Sequence, residues 1–163
     1  MTRKFFSLIN LQRSLRLAAA TVIFSLPSLQ AQAADEVRRI DSTQSFAQLA
    51  ERLQAAVAAN KMVVVTQASA SKGAASRGVS IPGNLVVGVY RNDYAVRMLD
   101  ASVASGIEAP LRFYLVENAD GSTSLSWATP SSTFAPYASA ELDEMARELD
   151  DVFAAIARDA TAK

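Results

Sequence analysis

The 163-residue chain contains no cysteine and no histidine. Without thiols or imidazoles, it has neither a cysteine nucleophile nor a Ser-His-Asp triad, and it lacks the usual ligands of zinc and haem iron. Its folding cannot depend on disulfide bonds. Any catalysis must therefore use Asp, Glu, Lys, Arg, Tyr or Ser side chains, and we predict no bound metal and no cofactor.

Acidic residues are missing before Asp35, and the early charges are all basic: Arg3, Lys4, Arg13 and Arg16. The apolar stretch 17–29 that follows is about 13 residues long, whereas a membrane span needs roughly 20. Ala31-Gln32-Ala33 then fits the small-x-small pattern of a signal peptidase site. This pattern predicts a signal peptide at 1–33 and a mature single domain at 34–163. The alternative is an uncleaved membrane anchor, which the short apolar run and Pro27 disfavour.

We therefore expect a periplasmic or secreted protein that is cleaved after Ala33. N-terminal sequencing of the exported protein should begin at Ala34, because the basic, apolar and small-residue segments follow one another in the order that signal peptidase requires. A full-length product that starts at Met1 and is extracted only from membranes would contradict this prediction.

The charge balance argues against two classes of partner. Four of the 16 basic residues and none of the 16 acidic residues lie in the predicted signal, so the mature chain has a net charge of −4. A mildly acidic domain is not typical of proteins that bind nucleic acid or anionic membranes. We expect no nucleic-acid partner and no stable membrane insertion after cleavage.

Hydrophobic periodicity and turn residues predict the secondary structure. Ser45 and Gln48 form a capping box at the start of a helix, and "ADGS" marks a hairpin turn. The β-branched run in 61–67 predicts a buried strand. Segment 68–84 is expected to be a loop with at most one helical turn, and 129–139 an extended connection. Strands are predicted at 36–41, 61–67, 85–90, 110–118 and 123–128, and helices at 45–59, 92–106 and 140–160.

This order, β-α-β-β-α-β-β-α, predicts an α+β fold. The strands come in adjacent pairs with helices between them, which favours one mostly antiparallel sheet of about five strands with the helices packed on one face.

Segment 85–137 carries "GVYRNDYAVRML", "PLRFY" leading into the hairpin and "TP" leaving it. In these features the chain resembles the domain of unknown function 302 family. The resemblance covers most of the mature chain and implies an α+β fold and dimers, but no known activity. Two departures stand out: the family often has Gly-Asn-Pro where this chain has Arg91-Asn92-Asp93, and a histidine where it has Ser69 or Ala70.

The Arg91-Asn92-Asp93 turn can be explained as a helix start. Asn92 is a favourable N-cap residue, and the negative charge of Asp93 suits the first turn. Arg97 lies four residues after Asp93 and three before Asp100, within reach of both. These roles require no ligand for Asn92 or Asp93, although the sequence leaves a functional role for the turn open.

Arg91 has no such explanation, and Arg112 begins a strand that can lie beside it. The two arginines are the first candidates for binding a ligand, because a guanidinium fork suits carboxylate or phosphate. Arg97 is a further candidate. Tyr137 is another, since Trp127, Phe134 and Tyr137 lie close in sequence, although such a cluster more often closes a hydrophobic core.

Three functions remain open from the sequence. The first is an exported module that binds a small ligand or a protein without chemistry of its own, and the family resemblance implies that it is a homodimer. The second is an enzyme that acts on a small anionic substrate, which would require Arg91, Arg97 or Arg112 to converge with Asp93 or Glu108. The third is a structural role at the cell envelope, held there by an uncleaved N-terminus. We favour the first.

Overall fold

Five strands form one sheet in which every neighbouring pair is antiparallel. The structure is a computed structural model that describes residues 37–162; the predicted signal peptide lies outside the described residues. The strand order is β1-β5-β4-β3-β2. The predicted α+β fold is confirmed. The strands are β1 Val37–Ser42, β2 Val63–Ala68, β3 Asn84–Tyr90, β4 Leu111–Glu117 and β5 Thr123–Ala128.

Three longer and two short helices accompany the sheet. Helix α1 begins with the predicted capping box: the Gln48 backbone N–H donates to Ser45 Oγ and the Ser45 backbone N–H donates to Gln48 Oε1. The helices are α1 Phe46–Ala59, α2 Ala70–Ala75, α3 Asn92–Ala101, α4 Pro130–Phe134 and α5 Ala140–Thr161, with 3-10 helices at Val103–Glu108 and Ala135–Tyr137.

The connection at 129–139 is more helical than its sequence indicates. The connection that was expected to be extended begins with α4, where Thr129 Oγ1 accepts a hydrogen bond from the Ser132 N–H. Pro130 occupies the first helical turn, where its missing N–H costs nothing. The carboxylate of Asp150 on α5 accepts from the Ser131 N–H. A tertiary contact thus supports a helix too short to be stable alone.

Helix α3 is shorter than predicted and ends at Ala101 instead of Gly106. Ser102 adopts an extended conformation, with φ −161° and ψ 110°, which ends the α-helix. A 3-10 helix follows from Val103, and the Ser105 hydroxyl donates to the Ser102 carbonyl at 2.7 Å. The residues expected in the last turn of the helix therefore form a separate element.

The two faces of the sheet differ in burial. We call the face that packs against α1 and α5 the inner face; Val87, Phe113 and Leu125 lie on it and are fully buried. The Phe113 ring stacks on Phe153 of α5, with ring centroids 4.7 Å apart. We call the opposite face, which carries Arg112 and Tyr114, the outer face. Helices α1 and α5 cover only the inner face, so side chains such as Arg112 and Tyr114 stay exposed on the outer face.

Strand β2 is an edge strand, and the prediction that it is buried is wrong. Val63 is 57% exposed and Val65 is 47% exposed. A run of β-branched residues favours a strand, but its burial depends on whether other elements cover it. Here β2 pairs only with β3, and the pairing register shifts between Val64 and Thr66.

Within residues 37–162, no helix is both long and apolar enough to cross a membrane.

Candidate functional site

In the Arg91-Asn92-Asp93 turn at the start of α3, Arg91 and Asp93 form an ion pair. The N-cap residue is Arg91, with no side-chain capping bond, and Asn92 is the first helical residue. Arg91 Nε donates to Asp93 Oδ1 at 2.7 Å, and Arg91 Nη2 donates to Asp93 Oδ2 at 3.0 Å. These bonds hold the pKa of the Asp93 carboxyl below its usual value and raise the pKa of Arg91.

The expected cap by Asn92 is therefore wrong. An N-cap side chain accepts a hydrogen bond from the second or third helical N–H, which requires the cap residue to precede the helix. Asn92 lies one position too late for that role. Arg91, which the sequence left without a local partner, pairs within the turn instead, and its Cζ atom lies 4.1 Å from the centroid of the Tyr94 ring.

Arg97 connects two helices instead of pairing along its own. Its Nη1 and Nη2 atoms donate to the two carboxylate oxygens of Glu148 on α5, each at 2.8 Å. The expected pairs with Asp93 and Asp100 are not formed, because the facing helix offers a planar two-bond partner that a neighbour on the same helix cannot match. The hydrogen bonds from Arg97 lower the pKa of Glu148.

The hydroxyl of Tyr137 is also hydrogen-bonded to a carboxylate. Its hydroxyl donates to Glu108 Oε1 at 2.8 Å, and this bond raises the pKa of the phenol. Its ring lies 6.5 Å from Phe134, centroid to centroid, so these two aromatic residues do meet. Trp127 packs instead on Phe113, at 5.7 Å. The bond joins the 3-10 helix that contains Glu108 to the one that contains Tyr137.

Arg91 borders a small cavity on the inner side of the sheet, which we call the inner cavity. Apolar side chains line most of it, among them Met62, Met98, Met145 and Phe134. Its volume is about 30 Å³. That space corresponds to about one or two water molecules and is too small for an organic ligand.

Arg112 lines a different and larger depression, on the outer face, which we call the outer groove. Its volume is about 260 Å³. Strands β3, β4 and β5 form its floor, and α4 contributes one wall. Within residues 37–162, the side chain of Arg112 makes no hydrogen bond or ion pair. The lining includes Val86, Leu111, Arg112, Tyr114, Ser126 and Thr133.

The predicted ligand-binding residues thus lie in separate places. Strands β3 and β4 are neighbours, as the prediction for Arg91 and Arg112 required, but the two side chains line different cavities. Arg97 and Tyr137 line neither of these two cavities. Among the described residues, no three Asp, Glu, His or Cys side chains come close enough to hold a metal ion.

Sequence reasoning missed most of the outer groove. Tyr114 and Ser126 face each other across β4 and β5, and Val86 faces Tyr114 across β3 and β4. The signal was present in the two-residue alternation of β4, which puts Arg112 and Tyr114 on one face and Phe113 and Leu115 on the other. Thr133 carries no such signal, because only the fold of α4 brings it to the sheet.

Two comparisons with known proteins agree with the fold. Residues 38–158 match the family described as "Domain of unknown function DUF302". The crystal structure of an uncharacterized conserved protein DUF302 from Bacillus stearothermophilus superposes with a TM-score of 0.67 at 18% identity, covering 76% of this chain and 97% of that one. At that identity the likeness shows the fold alone. No curated protein matches the chain.

Proposed function

The chain belongs to the family of domain of unknown function DUF302, and from this premise we propose that it is an exported interaction module that pairs with a second copy of itself through strand β2. Export is inferred from the N-terminal pattern, which lies outside the described residues. The observation that carries the proposal is the contrast between the two edges of the sheet.

The edge at β2 lacks two of the usual protections against pairing, charged residues and proline, although its register shifts between Val64 and Thr66. An edge strand presents unpaired backbone N–H and C=O groups, and proteins commonly protect such edges with charged residues or proline. Strand β1, the other edge, has three charged residues among six: Arg38, Arg39 and Asp41. Strand β2 reads VVVTQA and has no charged residue and no proline. Its sequence therefore favours pairing with a further strand.

A second copy of this chain is the partner that suits this edge. The mature chain is acidic overall, with a net charge of −4, so contact between copies is least opposed where no charges meet. Antiparallel pairing of two β2 strands would bury Val63 and Val65, which are about half exposed in one copy. The register shift at Val65 shortens the regular edge, so we expect these apolar contacts to contribute alongside the backbone hydrogen bonds.

The arginine-based enzyme has no comparable support. It required arginines to converge with an acid in one cleft, whereas Arg91 pairs with Asp93, Arg97 pairs with Glu148 and Arg112 lies on the outer face. Glu108 accepts a hydrogen bond from Tyr137. The proposed function therefore includes no reaction.

We expect light scattering of the mature protein at micromolar concentration to report a mass near twice that of the monomer. Val65→Lys should shift the mass to that of a monomer, because pairing would bring two lysines together at an apolar contact. Val37→Lys is the matched control: it makes the same change on β1, where Val37 is 61% exposed, and it should leave the dimer intact.

Two results would reject the proposed dimer. One is a monomeric wild-type protein at every concentration tested. The other is a dimer that Val37→Lys dissociates and Val65→Lys does not, which would place the contact at the opposite edge. Circular dichroism of each variant checks that the lysine has left the fold intact.

A further inference from the structure

Among the described residues, the lining of the outer groove has one charged side chain, Arg112, and its other side chains are apolar or carry hydroxyl groups. Arg112 is the only charged side chain in its lining within residues 37–162, and no carboxylate there neutralises it. Three other arginines of the domain do have such partners: Arg39 pairs with Asp41, Arg91 with Asp93 and Arg97 with Glu148. Since acids outnumber bases in the mature chain, the absence of a carboxylate from this groove leaves a guanidinium available to an anion.

We propose that the outer groove binds a small carboxylate with a flat apolar body, of the aryl carboxylate class, and that Arg112 binds its carboxylate group. This site is separate from the dimer contact. Strand β2 contributes no described residue to the groove lining, so pairing through β2 leaves the groove open.

The size of the groove suits one aromatic ring with a short acidic substituent. Its volume is about 260 Å³. A cavity of roughly 150 Å³ is enough for benzene, and pockets for larger organic ligands begin at about 300 Å³. Val37 and Val86 supply apolar surface, and the side chain of Tyr114, which is 41% exposed, supplies an aromatic one.

The available hydrogen-bond donors favour a carboxylate over a phosphate. Ser126 Oγ is directed at the Tyr114 carbonyl, 3.4 Å away, and Thr133 Oγ1 donates to the Thr129 carbonyl at 3.1 Å. Both hydroxyls therefore have acceptors within the protein. The guanidinium of Arg112 and the phenol of Tyr114 remain, and neither donates to a described residue. One guanidinium fork matches one carboxylate, whereas a phosphate dianion offers more acceptors than these groups satisfy.

Calorimetric titration tests the proposed site directly. The Trp127 ring packs on Phe113 on the inner face and is nearly buried, so its fluorescence is a poor readout for the outer groove. We expect phenylacetate, titrated into the mature protein, to give a saturable heat of binding. Phenylacetamide has nearly the same shape but no charge, so it should bind at least about tenfold more weakly, and inorganic phosphate should neither bind nor compete.

Arg112→Gln should weaken phenylacetate binding at least about tenfold, because it keeps a polar side chain but loses the charge and the guanidinium fork. Arg39→Gln is the matched control on β1: Arg39 already pairs with Asp41 and does not line the groove, so binding should be unchanged. The comparison of phenylacetate with phenylacetamide needs only the wild-type protein, so it tests the inference even where Arg112→Gln fails to fold.

Three results would overturn the inference. The first is the absence of a saturable heat of binding up to about 10 mM phenylacetate, the weak limit for a specific small-ligand site. The second is equal binding of phenylacetate and phenylacetamide, which would remove the role of the charge. The third is equal binding by phosphate, which would mean that the site takes any anion. None of these results bears on the mass measured by light scattering, so the dimer is tested separately.

Discussion

Phe113→Ala should lower the free energy of unfolding by about 3–5 kcal/mol, a large part of the roughly 5–15 kcal/mol that stabilises an ordinary domain. Phe113 lies at the centre of β4, and its side chain is completely buried. It stacks on Phe153 at 4.7 Å and meets Trp127 at 5.7 Å. Truncation removes contacts to helix α5 and to the neighbouring strand together, and it leaves a cavity that a sheet cannot close by collapsing.

Urea denaturation at a fixed protein concentration measures this loss, since a dimer would make stability depend on concentration. Tyr114→Ala is the matched control, because the next residue of β4 carries an aromatic ring of similar size on the outer face. We expect a clearly smaller loss for Tyr114→Ala. Equal losses for the two variants would contradict the assignment of inner and outer faces.

Gly88→Ala should destabilise the protein by about 1–3 kcal/mol through overpacking. Gly88 lies in β3, opposite Arg112 on one side and Thr66 on the other. A Cβ atom there would overlap Thr66 Oγ1 and would lie 2.8 Å from Cγ of Pro110. Thr66 and Pro110 thus meet across the bare backbone of this glycine. A methyl group would force them apart and would disturb the pairing of β2 with β3.

Gly73→Ala provides the control for Gly88→Ala. Gly73 lies within helix α2, and a Cβ atom added there meets nothing within 4 Å. Alanine is favoured over glycine in a helix by up to about 1 kcal/mol, so Gly73→Ala should be neutral or stabilising. Thermal unfolding of the two variants compares the same chemical change in crowded and in open surroundings. A Gly88→Ala variant as stable as the wild type would contradict the prediction, because it would show that Thr66 and Pro110 can move aside at no cost in stability.

The elements whose evidence is local were predictable. The capping box at Ser45 and Gln48 is complete within four residues, and the structure confirms it. The apolar positions of α5, such as Leu142, Leu149 and Phe153, recur at helical spacing and are buried as that spacing requires. The turn at Gly121, with φ 82°, closes the predicted hairpin between β4 and β5. In each case the signal and the structure occupy the same short stretch of chain.

The errors concern partners that are distant in sequence. Arg97 was expected to pair with acids on its own helix, but it pairs with Glu148, 51 residues later. Helix α4 depends on Asp150, 19 residues after Ser131. The cap at Asn92 failed differently: the helix begins one residue earlier than an Asn92 cap requires, and Arg91, which takes the cap position, pairs with Asp93. A favourable residue type does not determine the position at which a helix starts.

The sequence by itself determined the class of fold, the hairpin, the positions of the main helices and strands, and the chemistry that the chain lacks. Composition excludes imidazole and thiol chemistry whatever the fold, and periodicity reports which face of each element is apolar. Only the tertiary structure decided which strands lie at the edges and which arginines already have a carboxylate partner. It also brought Thr133 beside Tyr114 to form a groove around Arg112. The physical reason is that pairing and burial depend on neighbours that folding brings together, and one sequence does not record those neighbours.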